Sequence, residues 1–172
     1  MNGKDISLVN RSGNFEIQVT GRANFEYAVP LREIARTPEA IKSCRIDLRD
    51  CAAMDSTFMG VLTMLALGTK RFQVDVEIYN ASDFLVKLLR GLGIEKLFVF
   101  KSGDVFGGGD EVSSAKESAS ALTTAETVAE AHRTLVEADG GNAQKFADVI
   151  EFADQDVARL KKAQKDAENS EK

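Results

Sequence analysis

Cys44-Arg45-Ile46-Asp47-Leu48-Arg49 alternates apolar and polar side chains, and Met54-Asp55-Ser56-Thr57-Phe58-Met59-Gly60-Val61-Leu62 follows shortly after it. Alternation with a period of two is the pattern of a half-buried strand. Asp-Ser-Thr ahead of an apolar run marks a helix start. The two stretches predict a strand, a connection over Asp50 to Asp55, and a long helix from about Ser56 to Phe72. Ser56 then stands at a helix N-terminus, where unpaired backbone N–H groups and the positive end of the helix dipole lie.

The flanking sequence extends the pattern. Ile6 to Val9 and Phe15 to Val19 enclose Asn10-Arg11-Ser12-Gly13-Asn14, which is turn chemistry, so an opening hairpin is expected, with Gly21 ending its second strand. A helix is expected from about Ala28 to Arg36, with Pro30 in its first turn and Thr37-Pro38 as its stop. Val74 to Tyr79 reads as a strand. Ser82 is a good N-cap for a helix carrying Phe84, Leu85, Leu88, Leu89 and Leu92, closed by Gly91 and Gly93. Leu97 to Phe100 is a last short strand. The order β-β-α-β-α-β-α-β makes this an α/β unit: a mixed, mostly parallel sheet with an N-terminal hairpin and helices.

The rest of the 172-residue chain differs in kind. Residues 1–101 are read as the α/β domain, 102–122 as a flexible linker containing Gly107-Gly108-Gly109, and 123–168 as a C-terminal αα-hairpin. The hairpin's helices are expected over about Thr124 to Ala138 and Ala143 to Ala167, broken by Gly140-Gly141-Asn142. It reads as a docking element or a homo-oligomerisation arm. Residues 1–102 carry 14 basic and 12 acidic side chains, and residues 103–172 carry 8 and 15, so the acidity lies in the extension. No basic stripe with interleaved aromatics is present, which disfavours nucleic acid. No apolar run is long enough for membrane insertion, and no secretory segment is visible, so a cytoplasmic location is expected. Cys44 and Cys51, placed at the two ends of one expected strand, read as reduced thiols.

At 100° per residue, Phe58, Val61, Leu62, Leu65 and Phe72 share one face of the long helix and should pack on the sheet. Met59, Thr63, Leu67 and Lys70 fall on a second face, below Ser56. Exposed together, Met59 and Leu67 would form an apolar docking patch. Alternatively, the C-terminal hairpin covers that face, and Asp-Ser-Thr is a helix cap and nothing more.

Ile46-Asp47-Leu48 ahead of Met54 to Leu62, with Asn80-Ala81-Ser82 ahead of an amphipathic helix, resembles a STAS domain of the anti-sigma factor antagonist type over roughly residues 4–101. The resemblance implies a STAS fold and a non-catalytic partner-switching regulator. Its partners would be an anti-sigma factor serine kinase and a phosphatase for reset. It implies phosphorylation at Ser56, with Thr57 second to it. Partner contacts would come from Asp55, Ser56, Thr57, Met59, Thr63 and Leu67, and from Arg22 and Asn24 in the turn beside the switch. The sequence departs from the family's pattern at Phe58, where many antagonists have glycine. The runner-up is a STAS accessory subunit of a lipid-transport ABC complex or other signalling assembly, docking without phosphorylation. An enzyme is not expected: no Gly-x-Ser-x-Gly elbow or Gly-Lys-Ser/Thr loop occurs, and His132, the single histidine, reads as a plain surface residue. No cofactor and no metal are expected.

Overall fold

The computed structural model describes residues 6–105, 113, 114 and 119–172. Strands β1 (Ile6–Arg11) and β2 (Asn14–Val19) form the expected hairpin. Its two-residue turn, Ser12-Gly13, has positive φ at both positions, which matches the right-handed twist of the flanking strands. Then come β3 (Gly21–Ala23), α1 (Phe25–Ala35), β4 (Ser43–Asp47), β5 (Cys51–Met54), α2 (Ser56–Lys70), β6 (Val76–Tyr79), α3 (Asp83–Gly91), β7 (Val99–Lys101), β8 (Ser113–Ser114), α4 (Ala121–Ala138) and α5 (Asn142–Ser170).

The main sheet has the strand order β7-β6-β4-β2-β1-β8. Its β2–β4, β4–β6 and β6–β7 pairs are parallel, and β1 is antiparallel to β2 and β8. The parallel registers align Phe15, Cys44 and Val76 in one row and Ile17, Ile46 and Ile78 in the next. These side chains are buried in one core with Leu31 of α1, Phe58, Leu62 and Leu65 of α2, and Leu85 and Leu89 of α3. The intervening rows are polar: Glu77 pairs with Lys101 at 2.9 Å and with Arg45 at 3.5 Å. The expected α/β class and mostly parallel sheet are therefore present, with the helical hairpin behind them.

Several boundaries differ from expectation. Gly21 does not simply end β2: at φ +80° it turns the chain out of the main sheet, and β3 pairs in parallel with β5 in a separate two-stranded ladder. The segment expected as a connection before Asp55 is thus mostly strand, and Cys51 lies in β5 rather than at the end of β4. Both thiols are free and buried, and burial pushes Cys44 up to about 12. Helix α1 begins earlier than expected, because Asn24 caps it by accepting the Glu26 N–H at 2.9 Å, which leaves Pro30 inside the helix. Phe72 lies past the end of α2 and is 48% exposed, so it does not join the sheet-facing stripe. Phe58, Val61, Leu62 and Leu65 do. The expected linker and its glycine triplet fall largely outside the described residues.

The hairpin folds back on the α/β unit. Helix α4 packs against α1 and α2 on one side and against α5 on another. Arg32 of α1, 2% exposed, donates two hydrogen bonds to Glu130 of α4, at 3.0 and 2.8 Å. The buried Asn142 amide donates to the carbonyls of Leu92 and Leu135, at 2.9 and 2.8 Å, tying the α4–α5 turn to the end of α3. Arg133 of α4 pairs with Asp154 of α5. Where α4 crosses α2, a Cβ at Gly60 would run into the backbone carbonyl of Ala131.

Helical Gly→Ala exchange normally gains up to about 1 kcal/mol. At Gly60 the sign should reverse, because overpacking costs about 1–3 kcal/mol. Gly91, with nothing within 4 Å of an added Cβ, is the control. Chemical denaturation should show Gly60→Ala destabilised and Gly91→Ala neutral or stabilised. Equal behaviour of the two variants would mean that α4 does not cross where the structure has it.

Candidate functional site

Asp55 is the N-cap of α2. Its carboxylate accepts the Phe58 N–H at 2.8 Å, and its own N–H donates to the Ala23 carbonyl at 2.9 Å. The β3–β5 ladder sets Ala23 beside Met54, so the turn holding Arg22 and Asn24 lies alongside the helix start. Arg22 is exposed, and Asn24 is half-buried through its capping role. Burial raises the Asp55 carboxyl above its ordinary value. The N–H groups of Phe58 and Phe25, the charge of His132 whenever its ring is protonated, and the Thr57 N–H oppose that rise.

Ser56 is the first residue of α2 and is half-buried. Its Oγ lies 2.8 Å from Nε2 of His132. The other ring nitrogen, Nδ1, lies 2.7 Å from the Val128 carbonyl. A carbonyl can only accept, so Nδ1 carries the proton and donates. Burial lowers the His132 pKa, so the neutral ring is favoured. Nε2 is then an acceptor, and the Ser56 hydroxyl donates to it. The ring also makes an edge contact with Phe146 of α5, centroids 4.9 Å apart.

His132 is thus not the surface residue expected from the sequence: it is 2% exposed and faces Ser56. Sequence reasoning missed it, although a signal existed. Val128, Ala131, His132 and Leu135 have the i, i+3, i+4, i+7 spacing of one helix face, which places the ring with the apolar stripe of α4. The expected exposed patch on α2 is also absent. Met59 is 6% exposed and Thr63 fully buried, because α4 lies over this face; Leu67 is only half-buried. Thr57 is buried as well. Phe58 points into the core with no exposure, so it presents no bulk at the surface beside Ser56. Asp55, Ser56, Arg22 and Asn24 are brought together at one end of the domain, with Met59 and Thr63 beneath the covering helix.

One solved structure similar to this chain is that of an anti-sigma factor antagonist, SpoIIAA, in its unphosphorylated form. The likeness is in fold. It spans 58% of this chain and 89% of that one, at 14% identity and a TM-score of 0.49. No family model matches the chain, and no curated protein does. Among the described residues no helix is long and apolar enough to cross a membrane, and no cluster of three or more His, Cys, Asp or Glu could hold a metal ion.

The buried, neutral His132 has a consequence for pH. Its folded pKa lies below the unfolded value of about 6.5, so protonation opposes folding. The stability it contributes is full above about pH 6.5 and is lost as the pH falls through that value to the lower folded one. NMR titration of the ring protons should give a midpoint below that of an exposed histidine, and His132→Phe should flatten this part of the Tm–pH curve. A midpoint at or above the exposed value contradicts the neutral ring.

Proposed function

We propose that the protein is a non-catalytic partner-switching regulator, an anti-sigma factor antagonist. It captures an anti-sigma factor serine kinase and is switched off by phosphorylation at Ser56. The observation that carries this reading is the placement of Ser56: first residue of α2, directly after the capping Asp55, at the edge of the domain beside Arg22 and Asn24. A phosphate there adds about −1.5 to −2 charges at one point. The helix N-terminus tolerates that charge, and the adjacent Asp55 opposes it, so an interface can be spoiled without unfolding the core.

On this reading residues 1–101 are the regulatory unit, and residues 123–168, joined to it through 102–122, modulate it. Arg22, Asn24, Asp55, Ser56 and Leu67 supply accessible contacts for the kinase. Thr57, Met59 and Thr63 shape the surface from beneath. Unphosphorylated protein holds the kinase and frees its sigma factor, and a phosphatase resets the cycle.

Incubation of the full chain with the cognate kinase and labelled ATP tests the reading. Ser56 should carry the label, and Ser56→Ala should lose at least about nine-tenths of it; Ser56→Asp should weaken kinase binding by roughly tenfold or more, as expected for a charge set in an interface. Equal labelling of Ser56→Ala removes the site assignment. Co-purification with a membrane permease and its ATPase, with Ser56 unphosphorylated throughout, would favour the accessory-subunit reading instead.

A further inference from the structure

The Ser56 hydroxyl is already engaged within the chain, by a residue of the hairpin. We infer that α4 and α5 form an intramolecular latch that docks over Ser56 while its side chain carries no phosphate, and that phosphorylation releases the hairpin. This inference rests on the phospho-switch reading and gives the hairpin a place in it.

Ser56 donates to Nε2, and the ring cannot exchange roles there while Nδ1–H is held by the Val128 carbonyl. Phosphoryl transfer from ATP replaces the Oγ–H bond by Oγ–P. The γ-phosphorus parts from the β-bridging oxygen, ADP leaves, and the hydroxyl proton goes to the kinase's base. Oγ then has no proton to give, and the new oxygens are all acceptors. Unless the ring takes up a second proton at Nε2, acceptors would face its lone pair across a gap of 2.8 Å that holds no phosphoryl group.

On the α4 side the surroundings offer little compensation. Asp55 is adjacent, and Glu126 and Glu130 lie on the same helix as His132, both turned to Arg32. Arg133 of α4 is committed to Asp154. Phe146 packs against the ring on the α5 side. One turn along α2 the Ala131 backbone sits against Gly60, so an outward shift of α4 at Ser56 also opens this contact. Close-packed contacts of this kind separate as a unit rather than stretch.

Two consequences follow. The kinase competes with α4 for Ser56, so capture is weakened by the fraction of molecules that are closed. Phosphorylation and hairpin docking are linked, each opposing the other by the same factor.

Hydrogen–deuterium exchange on the full chain tests the latch with phosphoserine installed at position 56 during translation, which needs no kinase. Amides of α4 should exchange roughly tenfold faster or more than in unmodified protein, while those of β2, β4 and β6 keep their protection. Ser56→Ala, which loses the hydroxyl but gains no charge, should change α4 less. Unchanged or increased α4 protection in the phosphoserine protein overturns the inference, because the phosphate would then be accepted by an imidazolium within a docked hairpin. Loss of protection across the sheet overturns it too, as does release by Ser56→Ala equal to that by phosphoserine. A hairpin that responds as expected in a protein that no kinase labels leaves the latch and removes partner switching. A labelled Ser56 under an unmoved hairpin does the reverse.

Discussion

The backbone of α4 can lie against α2 only because position 60 has no Cβ. That contact fixes the rest of the site. Ser56 stands one turn before Gly60, and residues four apart share a helix face. His132 follows Ala131, so the crossing that seats Ala131 on Gly60 also carries the imidazole to the start of α2. The Val128 carbonyl, one turn back on α4, then orients the ring, and Phe146 closes its other side. A serine that would otherwise be an open helix start becomes a hydrogen-bond donor to a second element of the same chain.

The contacts that hold the hairpin elsewhere are directional and polar as much as apolar. Arg32 is buried on α1, and its guanidinium is matched by Glu130, which remains partly open to solvent. Solvent screening limits what the pair adds to stability, but an unmatched Arg32 would be a buried charge without a partner. Asn142 similarly donates to two carbonyls, of which that of Leu135 also accepts the Asp139 N–H at 3.1 Å. Between these polar ties, Ala131, Leu135 and Phe146 of the hairpin join the same buried cluster as the sheet and α2.

Much of the architecture was readable from the sequence because local and global signals agreed. Ser12-Gly13 marked the hairpin, Asp55 capped α2 and Ser82 capped α3, each by the chemistry that its position demands. The β3–β5 ladder was not readable, since strands of three and four residues carry almost no periodicity. The start of α1 was misplaced because Pro30 is commonest in a first turn, whereas the Asn24 side chain set the boundary. At the candidate site, the motif and its position could be read, but the occupancy of its face could not. Which of two amphipathic surfaces meet is decided by shape, here by the absence of a side chain at Gly60. That information is tertiary.

Nuclear Overhauser spectroscopy reads the docking of His132 over Ser56 in the unmodified chain directly. Strong cross-peaks are expected between the His132 ring protons and the β protons of Ser56, together with His132 signals shifted by the ring current of Phe146. A His132 ring with solvent-like shifts and no contact to Ser56, in protein whose sheet is intact, would contradict that docking.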